Sequence, residues 1–164
     1  MIYIAHRGLL NGPDKNKENT LPQISDALLK GFDCEIDVWL VNDGWYLGHD
    51  GPDTKISLDF ITQNWHNLWI HSKNEESFIA MVNMDKMLNF FWHDSDTYTL
   101  TSLGYPWVYP GKKLFSRAVC VLPERVMKIH EVRGLKCFAV CSDYIEDIRA
   151  LDNGNVDGNL VLGV

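Results

Sequence analysis

The feature that most constrains this fold is an apolar, strand-like stretch, Cys34–Leu40, that carries two acids at alternate positions. Alternate side chains of an extended strand share a face, so Glu35 and Asp37 are predicted to point the same way. Two neighbouring carboxylates repel each other, and such an oxygen-rich pair suits a hard divalent cation. A bare pair of this kind more often lies on a solvated strand, but the apolar neighbours argue against that here.

The residues after this strand predict a tight hairpin that brings polar side chains back towards its end. Asn42-Asp43-Gly44 is a hairpin turn sequence, and the returning run at 45–47 leads to His49. His6 and Arg7 end the first apolar run of the chain in the same manner. We therefore expect two imidazoles, an acidic pair and a guanidinium to meet in one pocket.

Length and composition favour a single compact domain over residues 1–164. A chain of this size buries roughly 70% of its unfolded surface, which is enough for a substantial core. The net charge of −7 argues against a general nucleic-acid or anionic-membrane surface, although a local cationic pocket is compatible with it. We see neither a signal peptide nor an apolar run of membrane-spanning length, and we expect a cytoplasmic protein without a transmembrane segment.

The cysteines support this location. All four lie in or beside apolar, strand-like runs and form no CxxC pair: Cys34, Cys120, Cys137 and Cys141. They are predicted to be small buried side chains in a reducing compartment rather than disulfides or zinc ligands.

Alternating apolar and polar runs predict the order of strands and helices. Strands are expected at 1–5, 34–40, 68–72 and 88–92, and helices at 21–30, at 58–63 and after a cap at Asn74. The first β-loop-α-β unit favours a parallel pair with a right-handed crossover. Later strand-like pieces at 98–101, 107–109 and 117–122 are joined by connections shorter than the dozen residues of a parallel crossover. Helices at 123–132 and 144–151, a strand at 137–141 and an extended end at 154–164 complete the prediction.

Five short motifs resemble, in order, the N-terminal signature of the glycerophosphodiester phosphodiesterase family: HRG at 6–8, ENT at 18–20, ExD at 35–37, DG at 43–44 and HD at 49–50. This family belongs to the phosphatidylinositol-specific phospholipase C-like phosphodiesterase superfamily, which includes the spider-venom phospholipases D. The resemblance is strong over residues 1–50, thinner at 68–73 and faint at 138–149. It implies an eight-stranded β/α barrel, which usually occupies about 250 residues. We therefore expect a reduced TIM-type β/α barrel of six to eight strands, with several outer helices missing or shortened.

The resemblance also implies roles for single residues. Glu35 and Asp37 would bind a divalent metal ion, magnesium or calcium in this family. His6 and His49 would be the catalytic acid/base pair, and the sequence leaves open which is the acid. A single histidine beside a core strand is more often a packing residue, but two that flank an acidic pair favour catalysis.

Arg7 would bind phosphate, because its planar fork of donors matches phosphate oxygens. The alternative for Arg7 is an ion pair with Glu18, which the family resemblance makes a supporting residue of the pocket. Asn19 and Thr20 are predicted to be helix caps. Asp143, within the SDY sequence at 142–144, resembles a late family motif and would orient polar groups of the pocket.

The third strand departs from the family pattern of an acid, any residue and then lysine. Here the acid is replaced by His71, while Lys73 keeps its place and would meet a phosphate oxygen. A histidine ligand would favour manganese or zinc over calcium. Alternatively, His71 is no ligand and the ion is held by Glu35, Asp37 and water.

Two more groups fit a structural role as well as a functional one. His93, Asp94 and Asp96 follow a predicted strand, and the aromatic run at 105–109 can form a wall for a substrate group. Each group is compatible with either role.

The favoured hypothesis is a metal-dependent phosphodiesterase, a phosphoric diester hydrolase, acting on a small glycerophosphodiester-like substrate by His/His acid-base catalysis. If the substrate carries a hydroxyl next to its phosphate, that hydroxyl can attack first and give a cyclic phosphate, and the sequence leaves open whether this or hydrolysis gives the product. One alternative is a barrel remnant that binds phosphate or metal without turnover. Another is a phospholipase D-like enzyme acting on lipid, which the acidic chain and the lack of an evident amphipathic surface helix disfavour.

Overall fold

A computed structural model describes residues 1–84 and 87–154. The strands are β1 (Ile2–Ala5), β2 (Asp33–Val41), β3 (Gly44–Leu47), β4 (Thr54–Ile56), β5 (Leu68–Ser72), β6 (Asn89–Phe91), β7 (Tyr98–Leu100), β8 (Pro106–Val108), β9 (Val119–Val121) and β10 (Ala139–Ser142). The α-helices are α1 (Leu21–Leu29), α2 (Leu58–Gln63), α3 (Glu75–Val82) and α4 (Ile145–Asp152). Short 3-10 helices span His6–Gly8, Trp65–Asn67, Pro123–Arg125 and Ile129–Gly134.

The ten strands form one mixed sheet that curls into a half-barrel. Seven strands run parallel in the order β6-β5-β2-β1-β10-β9-β8. Two hairpins extend the sheet: β3 and β4 continue antiparallel from the far end of β2, and β7 lies antiparallel on β8. Within the described residues, β6 and β8 are not paired with each other, so the parallel ladder stays open there.

The expectation of a reduced TIM-type β/α barrel is therefore wrong. In the part of the chain that the structure describes, the sheet has ten strands rather than six to eight, three of them outside the parallel ladder, and it does not close. The physical reason lies in the connections. Between α3 and α4 the described chain forms no α-helix, so the strands of that half follow loops and 3-10 turns rather than helices that could cover a closed barrel.

The first β-loop-α-β unit forms as predicted. β1 and β2 are parallel, with Ala5 opposite Cys34, and α1 connects them. Thr20 holds the N-cap position of α1 but does not cap it with its side chain, because its hydroxyl donates to the carbonyl of Lys17 at 2.7 Å. The predicted capping by Thr20 is wrong in that respect.

The hairpin at 42–44 is also confirmed. Val41 pairs with Gly44, and the two central residues, Asn42 and Asp43, have φ of 48° and 59°. Positive φ at both positions is what a tight hairpin turn requires, and Asn and Asp tolerate it better than other residues with side chains.

Later elements agree with the sequence to different degrees. α2 and β5 have the predicted bounds, and the Asn74 side chain accepts a hydrogen bond from the backbone N–H of Ser77 as the cap of α3. The single helix predicted at 123–132 is wrong, because two separate 3-10 helices occupy this part of the chain. Of the predicted extended end, residues 155–164 lie outside the described residues. No helix in the described ranges is long and apolar enough to span a membrane.

The core has one layer on each side of the curled sheet. Outside it, Ile36 and Ile70 pack with residues of α1 and α4 such as Ile24 and Ile145. Each such fully buried side chain contributes about 1.5–3 kcal/mol. Inside the curl, the second cluster comprises Ile4, Trp69, Phe91, Trp107, Val119, Val121, Leu122, Ala139 and Cys141. Because side chains alternate along a strand, every second residue of β2 and β5 faces outward. The residues that alternate with them face into the curl.

The four thiols give a first prediction. All are free, and Cys34, Cys120 and Cys141 are buried while Cys137 is half-buried. Burial raises the pKa of Cys120 to about 12, and it also raises the pKa of Cys34 and of Cys141 well above the ordinary value. We expect an aromatic disulfide reagent to label the native protein first at Cys137, with the other three reacting only as fast as the protein unfolds. Rapid labelling of all four thiols in a native sample would contradict the buried positions.

Candidate functional site

A cavity of about 320 Å³ opens at the carboxyl ends of the parallel strands. This edge is where open parallel sheets place their ligands. Both polar and apolar side chains line it: His6, Arg7, Glu35, Asp37, His49, His71, Lys73, His93, Asp94, Asp96, Trp107, Tyr109, Pro110, Val121, Leu122 and Arg125. The cavity can therefore contact both a charged group and a less polar group of one ligand.

Asp37 is the centre of the polar side and is only 1% exposed. Its Oδ2 lies 3.1 Å from Nε of Arg7 and accepts a hydrogen bond from the Asn19 amide at 2.8 Å. The Asn19 carbonyl oxygen in turn accepts from the Asp37 backbone N–H at 3.0 Å. On the other side, Oδ1 lies 2.9 Å from Nδ1 of His71 and 3.5 Å from Nζ of Lys73. One carboxylate is thus surrounded by donors and positive charge.

Glu35 and Asp37 lie on the same face of β2, and their pKa values are displaced in opposite directions. Burial raises the pKa of Glu35, and the charge of Asp37 raises it further. Burial would also raise the pKa of Asp37, but the imidazoles of His49 and His71 and the charge of Arg7 outweigh it and hold that pKa well below the ordinary value. Opposite displacements of the two pKa values are expected when two adjacent carboxyl groups share one buried site.

The residues present fit a divalent metal ion. Glu35, Asp37 and His71 each offer a ligand atom, and these atoms all lie within 4.8 Å of one another. Asp37 Oδ1 is buried and accepts no hydrogen bond from the described residues, because its short contact with His71 lacks hydrogen-bond geometry. A buried carboxylate oxygen without a hydrogen bond has a lone pair to offer to an ion.

His6 is oriented by the carboxylate of Asp143, which Glu124 in turn holds in place. Its Nδ1 lies 2.7 Å from Oδ1 of Asp143, and its Nε2 lies 3.9 Å from Oε2 of Glu35. Glu124 supports Asp143, because its two oxygens accept from the backbone N–H of Asp143 and from the hydroxyl of Ser142, each at 2.9 Å. Burial lowers the pKa of His6, but the hydrogen bond to Asp143 and the charge of Glu35 outweigh it, so the pKa is raised. The hydrogen bond to Asp143 occupies Nδ1, so Nε2 is the ring nitrogen that can contact a ligand in the cavity.

His49 approaches the same carboxylate from the hairpin side. Its Nδ1 lies 2.7 Å from Nη2 of Arg7 and 3.3 Å from Oδ2 of Asp37. A guanidinium can only donate hydrogen bonds and a carboxylate can only accept them, so Nδ1 accepts from Arg7 in one tautomer of the ring and donates to Asp37 in the other. The two histidines thus approach the Glu35–Asp37 pair from different strand ends.

Arg7 links these groups through an unusual backbone conformation. Its φ is 52°, and its backbone N–H donates to Oε2 of Glu35 at 3.1 Å. Its Nη1 donates to Oε2 of Glu18 at 2.9 Å, so the ion pair considered from the sequence is present in a side chain that also lines the cavity. The next residue, Gly8, lies against α1, and a Cβ there would be 3.0 Å from Cγ1 of Ile24. This contact and its φ of 78° explain why glycine follows Arg7.

The structure brings the predicted site residues together. Seven of them line the cavity: His6, Arg7, Glu35, Asp37, His49, His71 and Lys73. Glu18 and Asp143 connect to it through Arg7 and His6.

Of the two ambiguous groups, His93 stacks on His71 with ring centroids 4.5 Å apart. Trp107 and Tyr109 form part of the cavity wall, whereas Tyr105 instead packs on Phe138 in the inner core.

Sequence reasoning missed two residues of this network. Asn19 was predicted to be a helix cap, but it is 3% exposed and holds Asp37 by two hydrogen bonds. Its position inside the ENT motif, next to Glu18, is a signal that could have identified it. Glu124 follows Pro123 in a 3-10 turn far from the other motifs, and nothing in the sequence marks its link to Asp143.

No family model, curated protein or solved structure matches the chain. The resemblance of the five motifs is therefore an interpretation of the sequence alone, and function has to be argued from the chemistry of the site.

Proposed function

We propose that this protein is a metal-dependent phosphodiesterase that cleaves a small glycerophosphodiester-like substrate. The observation that carries the proposal is the pair of imidazoles, His6 and His49, on either side of a buried acidic pair. Arg7 and Lys73 lie in the same cavity. The resemblance of the motifs at 6–50 to the glycerophosphodiester phosphodiesterase family supports it. The free cysteines suit a reducing compartment, and we propose a cytoplasmic location on that ground.

In this proposal Glu35, Asp37 and His71 hold a divalent cation, magnesium or calcium, or manganese or zinc because of the imidazole ligand. When bound, the ion would supply charge neutralisation at the phosphoryl oxygens. His71 can bind it through Nδ1 only when its proton sits on Nε2, and Glu35 must be ionised.

Arg7 and Lys73 would bind the phosphate. Both lie close to Asp37, at 3.1 and 3.5 Å, and a phosphate in the cavity would offer them a second anionic partner. When Arg7 turns its Nη2 to a phosphate oxygen, it would release Nδ1 of His49 as a proton acceptor. Substrate binding would thus free one of the catalytic nitrogens.

The two histidines would then move the protons. One imidazole takes the proton of the attacking hydroxyl, either of water or of the substrate's own neighbouring alcohol, as its oxygen bonds to phosphorus. The other gives a proton to the leaving alcohol oxygen as the second ester bond breaks. Asp143 would keep the His6 ring oriented, with Nε2 towards the substrate.

The second candidate function is binding of a phosphorylated ligand without turnover. The observation that favours it is the extent to which Asp37 is already compensated by Arg7, His71 and Lys73. A carboxylate that is neutralised by neighbouring side chains does not require a metal ion to compensate its charge.

A metal-dependence experiment separates the two functions. The purified protein is incubated with magnesium, manganese, calcium or zinc and a panel of phosphodiesters that includes glycerophosphodiesters and an aryl diester without a neighbouring hydroxyl. We expect turnover with at least one ion, loss of turnover in excess chelator and recovery when the ion is restored. Equal turnover in chelator would refute the metal-dependent mechanism, and no turnover with any ion, despite phosphate binding, would favour the second function.

The ligand set is checked separately by calorimetric metal titration. Asp37→Asn is expected to abolish binding, whereas Asp59→Asn, at an exposed position on α2, is the matched control and should leave binding unchanged.

A further inference from the structure

The charge of the chain is distributed very unevenly. Residues 97–136 contain seven Lys or Arg and only two Glu, whereas the rest of the chain contains eight basic and twenty acidic residues. One segment of the chain is therefore strongly basic although the net charge of the whole chain is −7. Charge asymmetry of this degree is typical of a chain that presents one face to an anionic partner.

Part of this segment forms a continuous exposed surface, which we name the docking patch. It consists of Tyr98, Tyr109, Lys112, Lys113, Phe115, Arg125 and Val126. The Tyr98 hydroxyl donates to the Lys113 carbonyl at 3.3 Å, and its ring lies 6.4 Å from that of Phe115. A Cβ on Gly111 would lie 3.4 Å from Cγ1 of Val126. These contacts join the start of β7, the loop after β8 and the residue that follows the 3-10 turn at 123–125 into one surface.

The side chains of the docking patch have few partners in the protein. Its four apolar members are each between 44% and 53% exposed, which is high for aromatic and branched side chains. Lys112, Lys113 and Arg125 form no ion pair with the described residues. Apolar surface and cationic charge are thus both left available at the same place.

The docking patch also lies at the mouth of the cavity. Tyr109 and Arg125 line the cavity as well as belonging to the patch. Whatever binds the patch is therefore held beside the opening that leads to the histidines.

We propose that the docking patch binds the surface of an anionic lipid bilayer. Aromatic side chains are favoured at the headgroup level, and Lys and Arg near an anionic leaflet each contribute to attraction. An aliphatic side chain such as Val126 gains little from stacking on bases, so the composition favours lipid over single-stranded nucleic acid. Because Tyr109 and Arg125 also line the cavity, a bilayer bound at the patch lies next to the cavity mouth. This binding does not depend on turnover.

The test is co-sedimentation of the full chain with vesicles of phosphatidylcholine alone or of phosphatidylcholine mixed with phosphatidylserine. We expect binding to the mixed vesicles only, and weaker binding as salt is raised. The double variant Lys112→Glu/Lys113→Glu should lose at least about tenfold in affinity, because two favourable charges become unfavourable. Phe115→Ser should weaken binding without changing its salt dependence.

Matched controls keep this result specific. Lys15→Glu/Lys55→Glu makes the same change of charge at exposed positions outside the patch, and Leu29→Ser removes an exposed apolar side chain of α1. Both should bind vesicles like the unmodified protein, and thermal denaturation should verify that every variant is folded.

Three outcomes would overturn the proposal. These are no binding of the unmodified protein to anionic vesicles, equal losses in the patch variants and their controls, or tighter binding to a single-stranded oligonucleotide than to vesicles at the same salt concentration.

Discussion

Turnover is expected to fall by a factor of about 10² to 10⁴ when His6 or His49 is replaced by Ala, because each removes one of the two proton-transfer groups. Steady-state kinetics with the best diester and ion of the panel measures the effect. The expected loss lies in kcat, since Arg7, Lys73 and the metal ligands that bind the phosphate remain. Removing both imidazoles should cost less than the product of the two single losses, because the groups act in one reaction.

The controls for this prediction are the exposed histidines His66 and His130, which lie outside the cavity lining. Replacing either with Ala should leave turnover unchanged. His6 is buried, so its variant also has to be shown to fold by thermal denaturation. If a folded His6→Ala or His49→Ala protein turns over like the unmodified chain, the acid-base assignment fails.

The largest effect on stability is expected for Asn19→Asp. The substitution keeps the shape of the side chain but replaces the amide that donates to Asp37 Oδ2 at 2.8 Å with a second carboxylate. Because the position is buried, the unpaired charge should lower the free energy of unfolding by about 3 kcal/mol or more. Urea denaturation at neutral pH measures the loss.

The pH dependence of this loss has a definite sign. Burial and the neighbouring charge raise the pKa of the new Asp above its value in the unfolded chain, so the variant is penalised at neutral pH and recovers as the pH falls through the raised pKa. Asn42→Asp is the matched control, because Asn42 also has positive φ, at 48° against 54°, but is exposed on the hairpin turn. Equal losses in the two variants at every pH would contradict the role assigned to Asn19.

Local features of this fold were predictable from the sequence because they depend on neighbouring residues. The hairpin at 42–44 follows from turn chemistry, and the shared face of Glu35 and Asp37 follows from strand alternation. The convergence of His6 and His49 on that face required the additional knowledge that strand ends meet at one edge of a parallel sheet.

Features that depend on distant contacts were not predictable. Whether the sheet closes is decided by pairing between β6 and β8, and no local pattern reports on that pairing. The Glu124 contact with Asp143 joins residues 19 positions apart through a side chain and a backbone amide. The docking patch was missed for a related reason, because a net charge averages a basic segment with the acidic remainder of the chain.

β2 has a consequence for how the molecule loses its structure. Its nine residues pair with β1 near the start, with β5 from Cys34 to Val38 and with β3 from Val38 to Val41. A strand tied to three neighbours cannot open alone, so its amide hydrogens should exchange with solvent only when the whole molecule unfolds. Glu35 and Asp37 belong to that strand. Ligand binding and the folded structure should therefore be lost in a single step when the protein is unfolded by heat or urea.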